Sequence, residues 1–312
     1  MRRVDFLIQS VREISRTTAN EDNSVPVTDG TIIQYLNDGK NRIATLLVGL
    51  KNVQRPFLAE QEIDIVAGTS EYAIPDRLAM NKHIQQVMWS YSGQDADYVR
   101  MDKLNIYNRE YDSVNYPIGY FVANGRINLT PVPNLTGAKI KVMYDRALDD
   151  LDKRRGKISV VTGLTATTFT SITLDSSADE TSTPNLSSID YVCINDPDGT
   201  VTAYNIPVGS YDTGTNVLTP RAGFTFTYSG QTIAVDSYVT FNKYSTTHCK
   251  LPDECERYLI HYAAQCVMHQ ESSTDVVTEN SFLAGMEEDI IKGFGTQTGE
   301  LQNFPTLNYQ DW

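Results

Sequence analysis

The sequence predicts an α+β protein in which N- and C-terminal helices pack together with a small β region, plus an inserted all-β domain of sandwich or barrel type. Three observations predict it. Apolar residues recur with the 3.6-residue period of a helix in the first fifty residues and again from residue 251. Between about residues 60 and 144 the period falls to two, as a half-buried strand requires. Between them, residues 157–250 hold 30 Ser or Thr in 94 positions, with short β-rich runs and no helical period.

Val4, Leu7, Ile8, Val11 and Ile14 form one stripe of a first helix. Polar residues 17–24 and Pro26 break it. A second helix starts at Thr28, an N-cap followed by Asp29, and its stripe is Ile32, Leu36, Ile43, Leu47 and Leu50. Gly39 weakens its middle by about 1 kcal/mol relative to alanine. Glu62 to Ile65 alternate as a strand, Gly68 to Ser70 turn, and Ile84 to Tyr91 form a strand carrying Trp89. Asn124-Gly125 marks a type I′ hairpin between residues 119–122 and 127–129. Ile140, Val142 and Tyr144 alternate in the next strand. In the Ser/Thr-rich block, residues 189–194, 224–228 and 238–241 read as strands. Leu251-Pro252-Asp253-Glu254 opens a helix with its apolar face on Cys255, Tyr258, Leu259, Tyr262, Ala263, Cys266 and Val267. A last helix carries Val276, Leu283, Met286 and Ile290 and stops at Gly293. The organisation is therefore residues 1–58 (helices), 59–152 (β-rich core), 153–248 (inserted β domain), 249–294 (helices) and 295–312 (extended tail).

With 312 residues, 40% hydrophobic and 21% charged, the chain has a globular balance and length for two domains. No apolar run reaches the length of a membrane span, and Arg2-Arg3-Val4-Asp5 does not read as a secretory leader. The net charge is −13, and residues 251–312 carry two basic residues (Arg257, Lys292) against eleven acidic ones. A sequence reader of DNA needs a basic face, which this chain lacks. Lys153-Arg154-Arg155, flanked by Asp149, Asp150 and Asp152, reads as a solvated, self-neutralising loop.

No nucleophile elbow, P-loop, dinucleotide fingerprint or H-E-x-x-H is written in the chain. Four cysteines without C-x-x-C spacing read as core thiols, and His248, Cys249, Cys255, His261, Cys266 and His269 do not converge as zinc ligands. Asn195 to Gly199 lacks the acids of a calcium loop and reads as a tight turn. The acids at 149–152 and 287–289 read as solvated charge rather than as facing catalytic carboxylates. No cofactor, metal or catalytic residue is expected. The tail interleaves Phe304, Leu307, Tyr309 and Trp312 with polar residues. These aromatics either pack back on their own domain or act as a docking arm on another subunit.

The order of several strings resembles bacteriophage head–tail adaptor proteins (connector or head-completion proteins, including the tubular gatekeeper type). After the N-terminal helix pair come Tyr72-Ala73-Ile74-Pro75-Asp76-Arg77-Leu78, then Tyr116-Pro117-Ile118-Gly119-Tyr120-Phe121-Val122 with its Asn-Gly hairpin, then Leu129-Thr130-Pro131-Val132-Pro133. Val142-Met143-Tyr144 and the run from Leu251 to Ala264 complete the succession. The likeness covers about residues 1–150 and 250–294, so the Ser/Thr-rich block is an insertion. It decorates the outside of a ring or contacts a tail component.

The resemblance implies a structural virion protein at the head–tail interface, assembled in the host cytoplasm. It implies a cyclic ring, usually of twelve copies, seated under the portal protein and above a tail tube or nozzle protein, with helices around the channel for double-stranded DNA. No sequence-specific DNA contact and no membrane partner are implied. A C-terminal segment reaching into the portal favours the docking-arm reading of Phe304, Leu307, Tyr309 and Trp312. A channel that lets DNA slide should not grip phosphates, so Glu254, Glu256, Glu271, Asp275, Glu279, Glu287, Glu288 and Asp289 are candidates for its lining. Plain solubility is the rival explanation of these acids. A β-rich tail fibre or receptor-binding protein, and a virion enzyme that degrades glycans, are the alternative classes.

Overall fold

The computed structural model describes residues 2–16, 27–49, 57–78, 84–105, 116–175, 189–226, 232–270 and 276–295. The elements in chain order begin with α1 (Val4–Ser15) and α2 (Asp29–Gly49). There follow β1 (Leu58–Asp64), β2 (Glu71–Ala73), β3 (Ile84–Ser90), β4 (Val99–Arg100) and β5 (Asp102–Lys103). Next are β6 (Gly119–Ala123), β7 (Arg126–Thr130), β8 (Lys139–Asp145) and β9 (Asp150–Leu151). Then come β10 (Gly156–Thr162), β11 (Ser171–Asp175), β12 (Tyr191–Asn195), β13 (Val201–Asp212) and β14 (Val217–Pro220). The chain continues with β15 (Tyr238–Phe241), β16 (Ser245–Thr246), α3 (Asp253–Gln270) and α4 (Val276–Gly295). The class is α+β with an inserted β domain, as the two periods of the sequence predict.

The chain divides into two compact units. One takes in the chain up to Ile43 and from Asp149 through α4; the other runs from Ala44 to Leu148. In the first, α1 buries Val4, Leu7, Ile8 and Val11 and packs on α3, so the N- and C-terminal helices meet as expected. Thr28 caps α2: its Oγ1 accepts from the Thr31 amide at 3.3 Å, satisfying one of the donors a helix start leaves open. α3 packs on α4 as an antiparallel hairpin, with Tyr258 against Glu287, His261 against Phe282 and Gln265 against Asn280.

The inserted block closes into a six-stranded antiparallel barrel in the order β10-β11-β14-β13-β12-β15. Closure removes the sheet edges that would otherwise template pairing with other chains. Its interior is filled by Ile158, Ile172, Val192, Ile194, Ile206, Leu218 and Val239 and neighbouring apolar residues. The run 224–228 differs from its sequence reading. Phe224 to Phe226 lie outside any strand, and Tyr228 lies outside the described residues. Gly223 turns the chain at φ +81°, so that Phe224 and Phe226 stack edge-to-face and close over Phe169. Aromatic packing, not ladder pairing, is what those residues provide.

The second unit is two four-stranded sheets, β1-β8-β3-β4 and β2-β7-β6-β5. Tyr72, Val87, Tyr120, Ile127, Leu129, Ile140 and Val142 share one buried cluster. The β6–β7 hairpin turns on Asn124 and Gly125 at φ +53° and +70°, the pair of left-handed residues that a type I′ turn demands.

Candidate functional site

The residues singled out from the sequence fall, in the first unit, on two features: the α3–α4 hairpin and the connector at residues 149–155. α3 begins with Asp253 and Glu254, both exposed, in the first turn, where acids complement the helix dipole. The antiparallel register brings this start beside the last turns of α4. Glu288 and Asp289 are exposed there, and Glu288 pairs with Lys292 at 2.7 Å. That exposed i,i+4 pair contributes little to stability. Glu254, Glu288 and Asp289 therefore share one end of the hairpin.

Two of the other acids are withdrawn from solvent. Glu256 is 1% exposed: its Oε1 accepts from the Arg2 amide at 3.2 Å, and its Oε2 lies 3.5 Å from Arg2 Nε. It presents no charge to solvent, because it faces the N-terminal segment. Glu287 is half-buried, accepting from the Tyr258 hydroxyl and pairing with Arg42 Nε at 2.8 Å. Burial and this carboxylate push the Tyr258 phenol far above its ordinary value. The cluster ties α2, α3 and α4 together. Tyr258→Phe should cost about 1 kcal/mol in a denaturation midpoint, since it deletes one hydrogen bond and leaves the ion pair. Glu271 and Asp275 lie outside the described residues, as do Phe304, Leu307, Tyr309 and Trp312, and the Glu279 side chain is not described.

The connector corrects a sequence reading. Residues 149–155 are not a solvated loop: Asp149, Asp152 and Arg154 are buried. Asp152 accepts from Arg155 (2.7 and 3.1 Å to Oδ1), from the Lys153 amide (2.9 Å) and from the Phe241 amide (2.7 Å). Asp149 accepts from the Tyr204 hydroxyl at 3.1 Å and Lys250 Nζ at 3.0 Å. Arg154 stacks 3.7 Å over Tyr238, and Arg155 4.7 Å over Phe241. The charges do neutralise, within the segment at Asp152–Arg155 as the sequence reading expects, and through the distant Lys250 at Asp149.

α2 completes this joint. Lys40, 2% exposed, donates to the Asp149 carbonyl at 3.0 Å and pairs with Asp150 at 2.5 Å. Asn37 donates to the Leu151 carbonyl at 3.0 Å and accepts from the Leu151 amide at 2.8 Å. Its carboxamide thus acts as a strand neighbour for β9, whose other edge pairs in parallel with β16. A cleft of about 400 Å³ runs beside this joint, lined by the polar stripe Gln34, Asn37, Asp38 and Asn41 and by Arg155 and Asn242. Lys40 and Asn37 were missed in the sequence, although Lys40 falls on the apolar stripe four residues after Leu36 and three before Ile43. A lysine on that stripe is the signal of a buried, paired charge.

The thiols behave as core atoms. Cys193, Cys249 and Cys255 are buried, Cys266 is half-buried, and all are unbridged. Burial pushes the Cys249 and Cys255 thiols up to about 12, so they are protonated and unreactive at neutral pH. Among the described residues no three His, Cys, Asp or Glu side chains are grouped to hold a metal ion. Among them, too, no helix is long and apolar enough to cross a membrane. The Asn195–Gly199 segment is a tight turn, with the Gly199 amide donating to the Asp196 carbonyl at 2.9 Å.

Residues 5–154, a little under half of the chain, match the model of the SU10 adaptor protein family. The match takes in α1, α2, both sheets of the second unit and the connector through Arg154. No curated protein matches the chain. The match supports a phage adaptor protein.

Proposed function

We propose that the protein is a head–tail adaptor whose copies close into a ring, twelve by the family resemblance, between the portal protein and the tail tube or nozzle protein. The observation that carries this reading is the adaptor-family match over residues 5–154. A head-to-tail interface that closes on itself makes such a ring from one surface pair. Many modest contacts around it then act together on the portal. The organisation proposed is an adaptor domain of residues 1–58, 59–152 and 249–294, with residues 153–248 inserted as a barrel facing outward or toward the tail.

Double-stranded DNA passes through the ring without sequence-specific contact, and an acidic lining keeps it from gripping phosphates. Glu254, Glu288 and Asp289 are the described residues exposed for that role, with Glu271, Asp275 and Glu279 as further candidates. Glu256 and Glu287 are withdrawn from the set, since each is committed to a partner. The aromatic tail, Phe304, Leu307, Tyr309 and Trp312, docks into the portal.

Negative-stain imaging of the protein mixed with its portal tests the reading: a symmetric ring capping the tail side is expected, and a monomer that leaves the portal bare refutes it. Deleting residues 295–312 should abolish portal attachment while leaving the thermal midpoint within about 2 °C, as loss of an interface arm rather than of core packing requires. Undiminished attachment would remove the docking arm from the proposal.

A further inference from the structure

Residues 2 and 3 lead as a short extended arm into Val4, the first residue of α1, and are faced by two buried titratable side chains that the adaptor role does not use. The Val4 amide donates to the Thr247 carbonyl at 2.9 Å, and the Cys249 amide donates to the Arg2 carbonyl at 2.9 Å. Arg3 thereby sits opposite His248 in an antiparallel bridge. His248 is 5% exposed, with Nδ1 2.9 Å from the Thr247 hydroxyl and Gly199 of the β12–β13 turn packed against its ring. The charges that act on it are Arg154 from the connector, Arg3 from the arm together with the amino terminus, and, with the opposite sign, Asp198 from the turn. Glu256 holds the arm from the other side through the Arg2 amide and guanidinium, with Asp253 of its own helix and the amino terminus also acting on it. Its Oε2 is buried and accepts no hydrogen bond among the described residues.

We propose that residues 2–4 form a detachable latch clamped between His248 and Glu256, and that protonation of these two side chains sets how firmly the latch, and with it α1, is held. The two groups pull in opposite directions. Burial, then Arg154 and Arg3, lowers the imidazole below its ordinary 6.5, so the docked arm refuses a proton that the released state accepts. That contribution is full above 6.5 and fades as the pH falls. Burial raises the Glu256 carboxyl above its ordinary 4.5 despite the bond from Arg2, so the docked arm favours the protonated acid. That contribution is full below 4.5 and is lost as the pH rises through the raised value. Where the two windows overlap, docking takes up a proton at the carboxyl and gives one up at the imidazole. The two pH dependences therefore oppose each other in the native latch, and removing either group unmasks the other.

Hydrogen exchange of the Val4 and Cys249 amides in the full chain tests this, as protection factors corrected for intrinsic rate at pH 5.0 and 7.0. In His248→Gln, protection at both amides should rise at least threefold on going to pH 5.0. In Glu256→Gln it should fall at least threefold, and the unaltered protein should lie between the two variants. In all three proteins the two amides should exchange faster than that of Ile194 in the barrel core. Slopes of the same sign in the two variants overturn the proposal, as does exchange of the arm amides at the rate of Ile194, which would mean release only on global unfolding. If a glutamine variant does not fold, the comparison of Val4 and Cys249 with Ile194 in the unaltered protein still decides whether the arm opens by itself.

Discussion

Asp152→Ala will lower stability by about 3 kcal/mol. The carboxylate gathers the Arg155 guanidinium and two backbone amides, of Lys153 and Phe241, at one buried point. Its removal leaves two amide donors without acceptors beside a barrel strand, and each buried orphan costs about 1–3 kcal/mol. Arg155 is about a quarter exposed and recovers part of its solvation, so the full penalty of a stranded buried charge does not apply. Asp152→Asn keeps one acceptor oxygen and should lose roughly half as much. Chemical denaturation of the two variants checks the ordering: equal losses would show that charge, rather than the acceptor count, holds the connector. Loss below 0.5 kcal/mol in both would return the segment to the status of a solvated loop.

The second large effect is expected at Gly39. A methyl group there would stand 2.9 Å from Tyr262 Cδ1 and 3.2 Å from Leu259 Cδ2, inside the contact distance of α3. Alanine would gain about 1 kcal/mol of helix propensity, yet the overlap forces α2 and α3 apart, a change that costs about 1–3 kcal/mol in a packed core. Gly39→Ala should therefore destabilise by about 1 kcal/mol, and Gly39→Val, larger and β-branched, by about 3 kcal/mol. A stabilised alanine variant would mean that the two helices do not approach closely at this point. Circular dichroism melts of both variants decide the sign.

Gly39 also shows what periodicity can and cannot carry. From the sequence it is only a weak place in a helix; in the structure it is the point where a second helix passes within van der Waals distance. The stripes of α1 and α3, the Thr28 cap and the Asn124-Gly125 turn were legible because each rests on neighbours within a few residues, where side-chain spacing and backbone sterics act directly. The 224–226 segment was misread for the complementary reason. Phe224-Thr225-Phe226 has the alternation of a strand, but the gain lies in stacking on Phe169, more than fifty residues away. The acids behaved likewise. Glu254 and Glu288 remain surface charges, whereas Glu256, identical in composition, is buried because the N-terminal arm lies against it.

By itself the sequence determined the class, the number and order of the main helices and the inserted β block. These depend on local period and turn chemistry, which are properties of the chain before it folds. The tertiary structure alone decided that the block closes into a barrel, that residues 149–155 are a buried joint fastened by Asn37 and Lys40, and which acids keep their charge in water. Those outcomes depend on which distant groups share a low-dielectric space, and no spacing along the chain encodes that.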